Sequence, residues 1–294
     1  MTFSFLKKHP LAPWISLLFL VSFIWSTTFI IIKEVLVELS PANYLFSRFS
    51  LACIILFLIY WKDIKHFWQL FSRKGLILGA ILSICYFAGA YGVEYTTASN
   101  ATFIGSMFII FVPLLEWLIL KKKISRRVLM ATIIAAIGIL FLTGAVTLSF
   151  QLGDGLVLIS ALAMAFHILL TERFAKDIPT KTLMVSQMFV VTIIAGIVAL
   201  FQGGIALPST METFYPILYL ALFATVFAFE VITYAEKHVE STDTCLILSF
   251  QGIFAFVLAV MLHLEIPTPY KIIGVVLLTF ANILAESKKK GICH

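Results

Sequence analysis

Five charged side chains, Arg48, Glu94, Glu116, Glu230 and Glu236, interrupt stretches of sequence that are otherwise apolar. An ionisable group at bilayer depth costs roughly 2.5–3.5 kcal/mol on insertion scales, so each is expected to face a partner or water. Arg48 can close an ion pair with an acid such as Glu34 or Glu94, or hold a carboxylate brought by a ligand. Glu116 and Glu230 can pair with nearby lysines, bind an amine, or carry a proton, since burial raises a carboxyl pKa into a switchable range. Helical spacing puts Thr102, Gly105, Ile109, Pro113 and Glu116 on one stripe, and Thr244 and Gln251 lie on the matching stripe 142 positions later. Trp25, Tyr86, Phe87 and Tyr91 can wall a cavity with rings that stack on apolar groups or cations. His167 can bond to a neighbouring helix or, with an unperturbed pKa of about 6.5, carry a proton. No metal-ligand cluster, phosphate-cradling glycine loop or Ser-His-acid set at a common depth is present, so no catalytic residue, metal or cofactor is expected.

Hydropathy and charge define the elements that must position these groups. The 294-residue chain is 61% hydrophobic and 12% charged, against about a quarter charged for soluble proteins. Apolar runs fall at 13–32, 41–61, 75–95, 99–120, 128–147, 155–171, 181–201, 214–235, 242–264 and 267–286, each close to the roughly 20 residues that a helix needs to span a bilayer. Helices are required because lipid offers no partner to unpaired backbone groups. Eighteen of the 21 Lys and Arg residues occupy every second gap, while Lys33 and Lys271 lie in the others and Arg48 lies inside a run. Short basic loops stay in the cytoplasm, so both termini are expected there. The net charge of +6 is explained by those loops and the Lys288–Lys290 tail, leaving nothing for a nucleic acid to bind. Cys53, Cys85, Cys245 and Cys293 show no paired spacing and read as small buried hydrophobes. Gly75 and Gly79 make one small-xxx-small spacing, too little to assign a dimer face and therefore an oligomeric state.

The chain repeats itself. A shift of 142 positions carries Glu94 onto Glu236, Ser99 onto Ser241, Thr102 onto Thr244, Phe108 onto Phe250, Leu120 onto Leu262 and Ile124 onto Ile266. Five runs per half is an odd number, so the halves, 1–148 and 149–294, enter the membrane from opposite faces. The expected fold is an all-α polytopic membrane protein, ten transmembrane helices in two inverted five-helix repeats around a central cavity. Glu94 and Glu236 then end equivalent helices on opposite faces, where a gate pair would stand.

The stretch Trp25-Ser26-Thr27-Thr28-Phe29, with Lys33, Pro41 and Arg48-Phe49 after it, resembles the opening of EamA-type members of the drug/metabolite transporter superfamily. The stretch from Gly92 to Ala101, the Phe111-Val112-Pro113-Leu114-Leu115 run, Gly153-Asp154 and Phe166-His167-Ile168 continue the likeness through both halves. The resemblance implies a permease of the bacterial inner membrane that works by alternating access and exports its small-molecule substrate, with protons a candidate coupling ion. It does not settle the cargo, because one fold carries many. Ser26 replaces the usual Gly, Glu94 and Glu236 replace uncharged or basic residues, and Glu116 and Glu230 replace small or apolar ones. Trp25, Arg48, Tyr86, Tyr91, Glu116, His167, Glu230 and Gln251 are the expected substrate-binding residues. Their mixed charge suits a zwitterion such as an amino acid or related metabolite. Uptake or exchange of a cationic amine or drug-like compound is the rival within transport, and a membrane enzyme or sensor is the rival outside it.

Overall fold

The computed structural model describes residues 11–96, 101, 104–143, 151–261, 263 and 266–286. Both termini, with Lys7, Lys8 and Lys288–Lys290, and Ser99, Thr102 and Leu262 of the repeat lie outside them. The described chain is helical: α1 (Ala12–Glu38), α2 (Pro41–Ile59), α3 (Arg73–Glu94), α4 (Phe108–Leu120), α5 (Arg126–Thr143), α6 (Leu152–Ala175), α7 (Thr180–Phe201), α8 (Met211–Ala235), α9 (Ser241–Leu248), α10 (Gln251–Met261) and α11 (Pro269–Glu286). Six stretches are long and apolar enough to cross a membrane: α2, α3, α6, α7, α8 and Ser241–Leu258, while Pro13–Thr28, Phe108–Leu120 and Pro269–Ala281 are shorter apolar helices. The molecule is a polytopic membrane protein.

Local chemistry sets the helix starts. Ser40 and Ser72 cap α2 and α3 through their hydroxyls, and Pro41 follows Ser40 at a position where no N–H is needed. Gln151 and Asp154 exchange side-chain and backbone bonds in a capping box that opens α6. Thr210 does the same for α8 with one bond.

The two repeats show in the packing. α5 lies on α11 and α2 on α7, while α3 packs against α6 and α7 as its counterpart α8 packs against α1 and α2. Small residues permit the closest approaches. A Cβ on Gly79 would fall 2.7 Å from the Val190 Cβ and 2.9 Å from the Gln187 backbone, and one on Gly75 would fall 2.5 Å from the Ser186 Cβ. The Gly75–Gly79 spacing therefore serves the α3–α7 contact inside the chain.

The structure changes the sequence expectation in three places. The fourth and ninth runs, read as continuous, are broken by turns at Ser106-Met107 and Ser249-Phe250, nearly equivalent under the repeat. The Ser249 hydroxyl bonds the Leu246 carbonyl at 2.6 Å, competing with the helical ladder there. The eighth run contains one π-helical segment, Leu222–Phe227, where the ladder shifts from the fourth residue to the fifth.

Candidate functional site

The two breaks border one central cavity of about 180 Å³. Trp25 and Thr28 of α1, Tyr44 and Arg48 of α2, Tyr86 and Val93 of α3, Ser106 and Phe108 at the first break, Ser160 and Met164 of α6, and Gln251 after the second break all line it. It runs from mid-bundle toward the end of α3 that carries Glu94, away from the basic loops. Phe108 and Gln251 are the first residues of α4 and α10, so both breaks meet the cavity wall.

Arg48 is 2% exposed. Its Nη1 donates to the Tyr44 hydroxyl at 2.7 Å, its Nε to Thr225 Oγ1 at 2.7 Å, and its Nη2 to the Tyr86 hydroxyl at 3.4 Å and the Ala224 carbonyl at 3.3 Å. The guanidinium also lies 5.0 Å from the Tyr86 ring centroid. Among the described residues no carboxylate pairs with it; the ion pair with Glu34 or Glu94 is not formed. Trp25 donates its indole N–H to the same Ala224 carbonyl at 3.0 Å. That carbonyl belongs to the π segment, so the offset ladder of α8 anchors both the cation and the indole.

The cavity brings together Trp25, Arg48, Tyr86 and Gln251 of the expected set. The others stand elsewhere. Tyr91 exchanges hydrogen bonds with the Gln202 amide at 2.9 and 2.7 Å, next to the loop before α8. His167 is buried between α7 and α8, its Nε2 2.7 Å from Gln187 Oε1 and its ring edge-on to Phe229. Glu230 accepts a short hydrogen bond from the Tyr60 hydroxyl. Glu116 accepts from Lys122 at 3.0 Å and from Thr242 at 2.6 Å.

These last contacts belong to a polar seam at the basic end. Lys122, just past α4, reaches Glu116 at 3.0 Å and Glu172 of α6 at 3.7 Å; Glu172 also takes Lys176 at 3.0 Å and both the backbone N–H and the hydroxyl of Ser241, at 3.0 and 2.6 Å. Glu116–Thr242 and Lys122–Glu172 join the first half of the chain to the second. With Tyr60–Glu230 they tie helix ends together near the basic loops. Glu236, one residue beyond α8, is 1% exposed, and among the described residues neither carboxylate oxygen has a hydrogen-bond partner. Burial and then the Glu172 carboxylate push its carboxyl well above the ordinary range, opposed by Lys176. Glu94, its repeat mate, is exposed.

Sequence reasoning missed Tyr44, Thr225, Ser106, Ser160, Glu172 and Lys122. Tyr44 was legible as the i−4 neighbour of Arg48. Nothing local marks Thr225, whose value comes from a residue 177 positions away.

The matches to known proteins follow this geometry. The EamA-like transporter family matches residues 12–144 and again residues 151–285. The chain belongs to this family. Curated relatives of the EamA-like chain include an uncharacterized transporter of Archaeoglobus fulgidus, 29% identical over 91% of this chain and 83% of that protein. The pseudopaline exporter CntI of Pseudomonas aeruginosa is 23% identical over 92% of this chain and 95% of its own length. A solved crystal structure shares the fold with a TM-score of 0.80 at 12% identity, covering 96% of this chain and 99% of that one. The EamA-like chain is thus a membrane transporter with a small-molecule substrate, built from two family repeats.

Proposed function

We propose that this transporter is a secondary carrier exporting a small carboxylate-bearing metabolite, an amino acid or related compound, across the bacterial inner membrane by alternating access. In this reading the basic end faces the cytoplasm, and the structure is the conformer closed on that side and open toward the other. The observation that carries it is Arg48: a buried cation on the cavity wall with only neutral partners among the described residues. A buried charge without a counter-ion is costly, and a substrate carboxylate would supply one. Trp25, Tyr86, Phe108 and Met164 offer apolar surface to the rest of the molecule. The 180 Å³ volume lies below the usual range of about 300–1,000 Å³ for ligand pockets and favours a compact substrate. Relatedness to a protein named an exporter supports the outward direction.

Basic-side closure requires Glu116–Thr242, Lys122–Glu172 and Tyr60–Glu230 to part when substrate enters from the cytoplasm. Each joins groups that polar contact with water would satisfy equally, so the seam can exchange partners at modest cost.

Binding of the twenty amino acids, polyamines and their uncharged derivatives to purified protein tests the reading. Amino acids should bind, their methyl esters should bind at least ten-fold more weakly, and Arg48→Ala should erase that difference; a lost bond to a charged group is worth about 1.5–3 kcal/mol, roughly ten- to a hundred-fold. Tight binding of amines lacking a carboxylate, unaffected by Arg48→Ala, would replace it with the cationic-substrate reading.

A further inference from the structure

Arg48 does not select a carboxylate unaided, because a guanidinium has five N–H groups and its orientation decides which of them a ligand meets. Here Nε is taken by Thr225 Oγ1, one Nη1 hydrogen by Tyr44, and the two Nη2 hydrogens by the longer bonds to Tyr86 and the Ala224 carbonyl. One Nη1 hydrogen remains without a partner among the described residues, and the Nη2 bonds, at 3.4 and 3.3 Å, are the ones most readily exchanged. The Nε bond goes to the π segment, which does not line the cavity, while Tyr44 and Tyr86, which do, meet the Nη groups.

Thr225 can do this only because of the π segment. Its hydroxyl donates to the Leu220 carbonyl at 2.8 Å, five residues back, which leaves an oxygen lone pair facing Arg48. The equivalent residue in the first repeat, 142 positions earlier, is Ser83 of α3. Ser83 donates to the Gly79 carbonyl at 2.8 Å, four residues back, in a regular helix, and holds no cation. The arginine is likewise confined to one repeat, since α7, the counterpart of α2, contains none.

We propose that Thr225, through the π segment of α8, is the positioning residue that makes the cavity specific for a carboxylate: it clamps Nε of Arg48 so that the Nη edge is presented to the substrate anion. This rests on the carboxylate reading above and adds to it a residue that does not itself line the cavity. The Ala224 carbonyl, shared between Trp25 and Arg48, keeps the indole in register with that edge, so the same segment aligns the anion site with its aromatic wall. Pi-helical turns recur at functional sites because the extra residue redirects backbone groups; here it redirects a carbonyl and a hydroxyl onto one guanidinium.

The test compares the tightest-binding amino acid of the panel with its methyl ester on purified variants. Thr225→Val, which keeps the side-chain shape and removes the hydroxyl, should weaken acid binding about ten-fold while leaving ester binding within two-fold. Thr225→Ser should restore the parent acid-to-ester ratio, and Ser83→Ala, the same deletion in the regular helix, should leave that ratio unchanged. Equal weakening of acid and ester in Thr225→Val, or an unchanged ratio, would overturn the positioning role. If Arg48→Ala also leaves the ratio unchanged, or no amino acid binds, the carboxylate reading fails with it; an Arg48→Ala effect without a Thr225→Val effect removes the positioning role alone. Should Thr225→Val not yield folded protein, Thr225→Cys provides a weaker acceptor of similar size and should give an intermediate ratio.

Discussion

α3 and α8 hold equivalent places in the two repeats and differ at every point where chemistry happens. α3 is a regular helix that carries Gly75 and Gly79 against α7 and ends at the exposed Glu94; α8 has no glycine, opens into a π segment and ends before the buried Glu236. Even their starts are tied differently. Lys74 of α3 pairs with Asp177, just past α6, at 2.8 Å, whereas the start of α8 is held by Glu38 of α1, which accepts from the Ser209 backbone and hydroxyl at 2.7 Å and from Thr213. Duplication supplied one scaffold twice. Packing tolerance stayed with one copy, and the irregular ladder that holds the cation went to the other.

The largest expected effect breaks the packing side of this contrast. Gly79→Val should lower the melting temperature sharply or prevent accumulation of folded protein, because side-chain atoms would meet the α7 backbone; overpacking costs about 1–3 kcal/mol and more where backbone must move. Ala221→Gly, the reverse change in α8, should cost about 1 kcal/mol, the ordinary penalty for glycine in a helix. Similar melting temperatures for the two variants would show that α3 has no tighter fit than α8.

A middle-sized effect concerns the helix ends. With its carboxyl raised in the closed conformer and ordinary once water enters, Glu236 stabilises closure of the basic end while protonated, and that contribution is lost as pH rises through the raised value. Labelling of Ser160→Cys from the basic side, in a chain stripped of its own cysteines, should therefore increase several-fold as pH rises through that raised value. Glu236→Gln should hold the basic end closed and flatten this dependence, and Glu94→Gln should not alter it. Faster labelling of Glu236→Gln at all pH values would mean that Glu236 is an ion-paired gate residue instead.

The smallest effects lie at the helix starts. Hydrogen bonds to Thr213 and Ser209 hold Glu38 down at about 2, so its tie to α8 is present above the ordinary carboxylate range and weakens only as pH falls toward 2. Glu38→Gln should therefore behave like the parent under acid conditions and differ slightly at neutral pH. Lys74→Ala removes a pair whose members are 39% and 66% exposed, and its melting temperature should match the parent within error. A large drop for Lys74→Ala would move the weight of the α3 attachment from glycine packing to charge.

The identity of the ionisable residues was legible in the sequence, and their placement only partly so. Arg48, Trp25, Tyr86 and Gln251 were expected around one cavity, and they meet there. Glu116 and Glu230 were expected at that cavity too, yet both serve the seam at the basic end, where Lys122, Thr242 and Tyr60 reach them. The stripe that carried Glu116 is a real face of α4, but it runs the length of the helix, and spacing does not say where along it a cavity stops. Tyr91 and His167 show the same limit, since aromatic or titratable character marks a residue as worth a partner without saying which helix provides one.

Hydropathy and helical periodicity are properties of neighbouring residues, so the all-α membrane class and the approximate helical runs were legible in the chain, as was the 142-residue repeat once its halves were set side by side. What decided the site was contact between residues far apart in the chain: the π segment that turns Thr225 and the Ala224 carbonyl onto Arg48, the breaks that bring Ser106, Phe108 and Gln251 to one cavity wall, and the burial of Glu236 beside Glu172. Each depends on which helix lies opposite, and only the packed bundle supplies that neighbour.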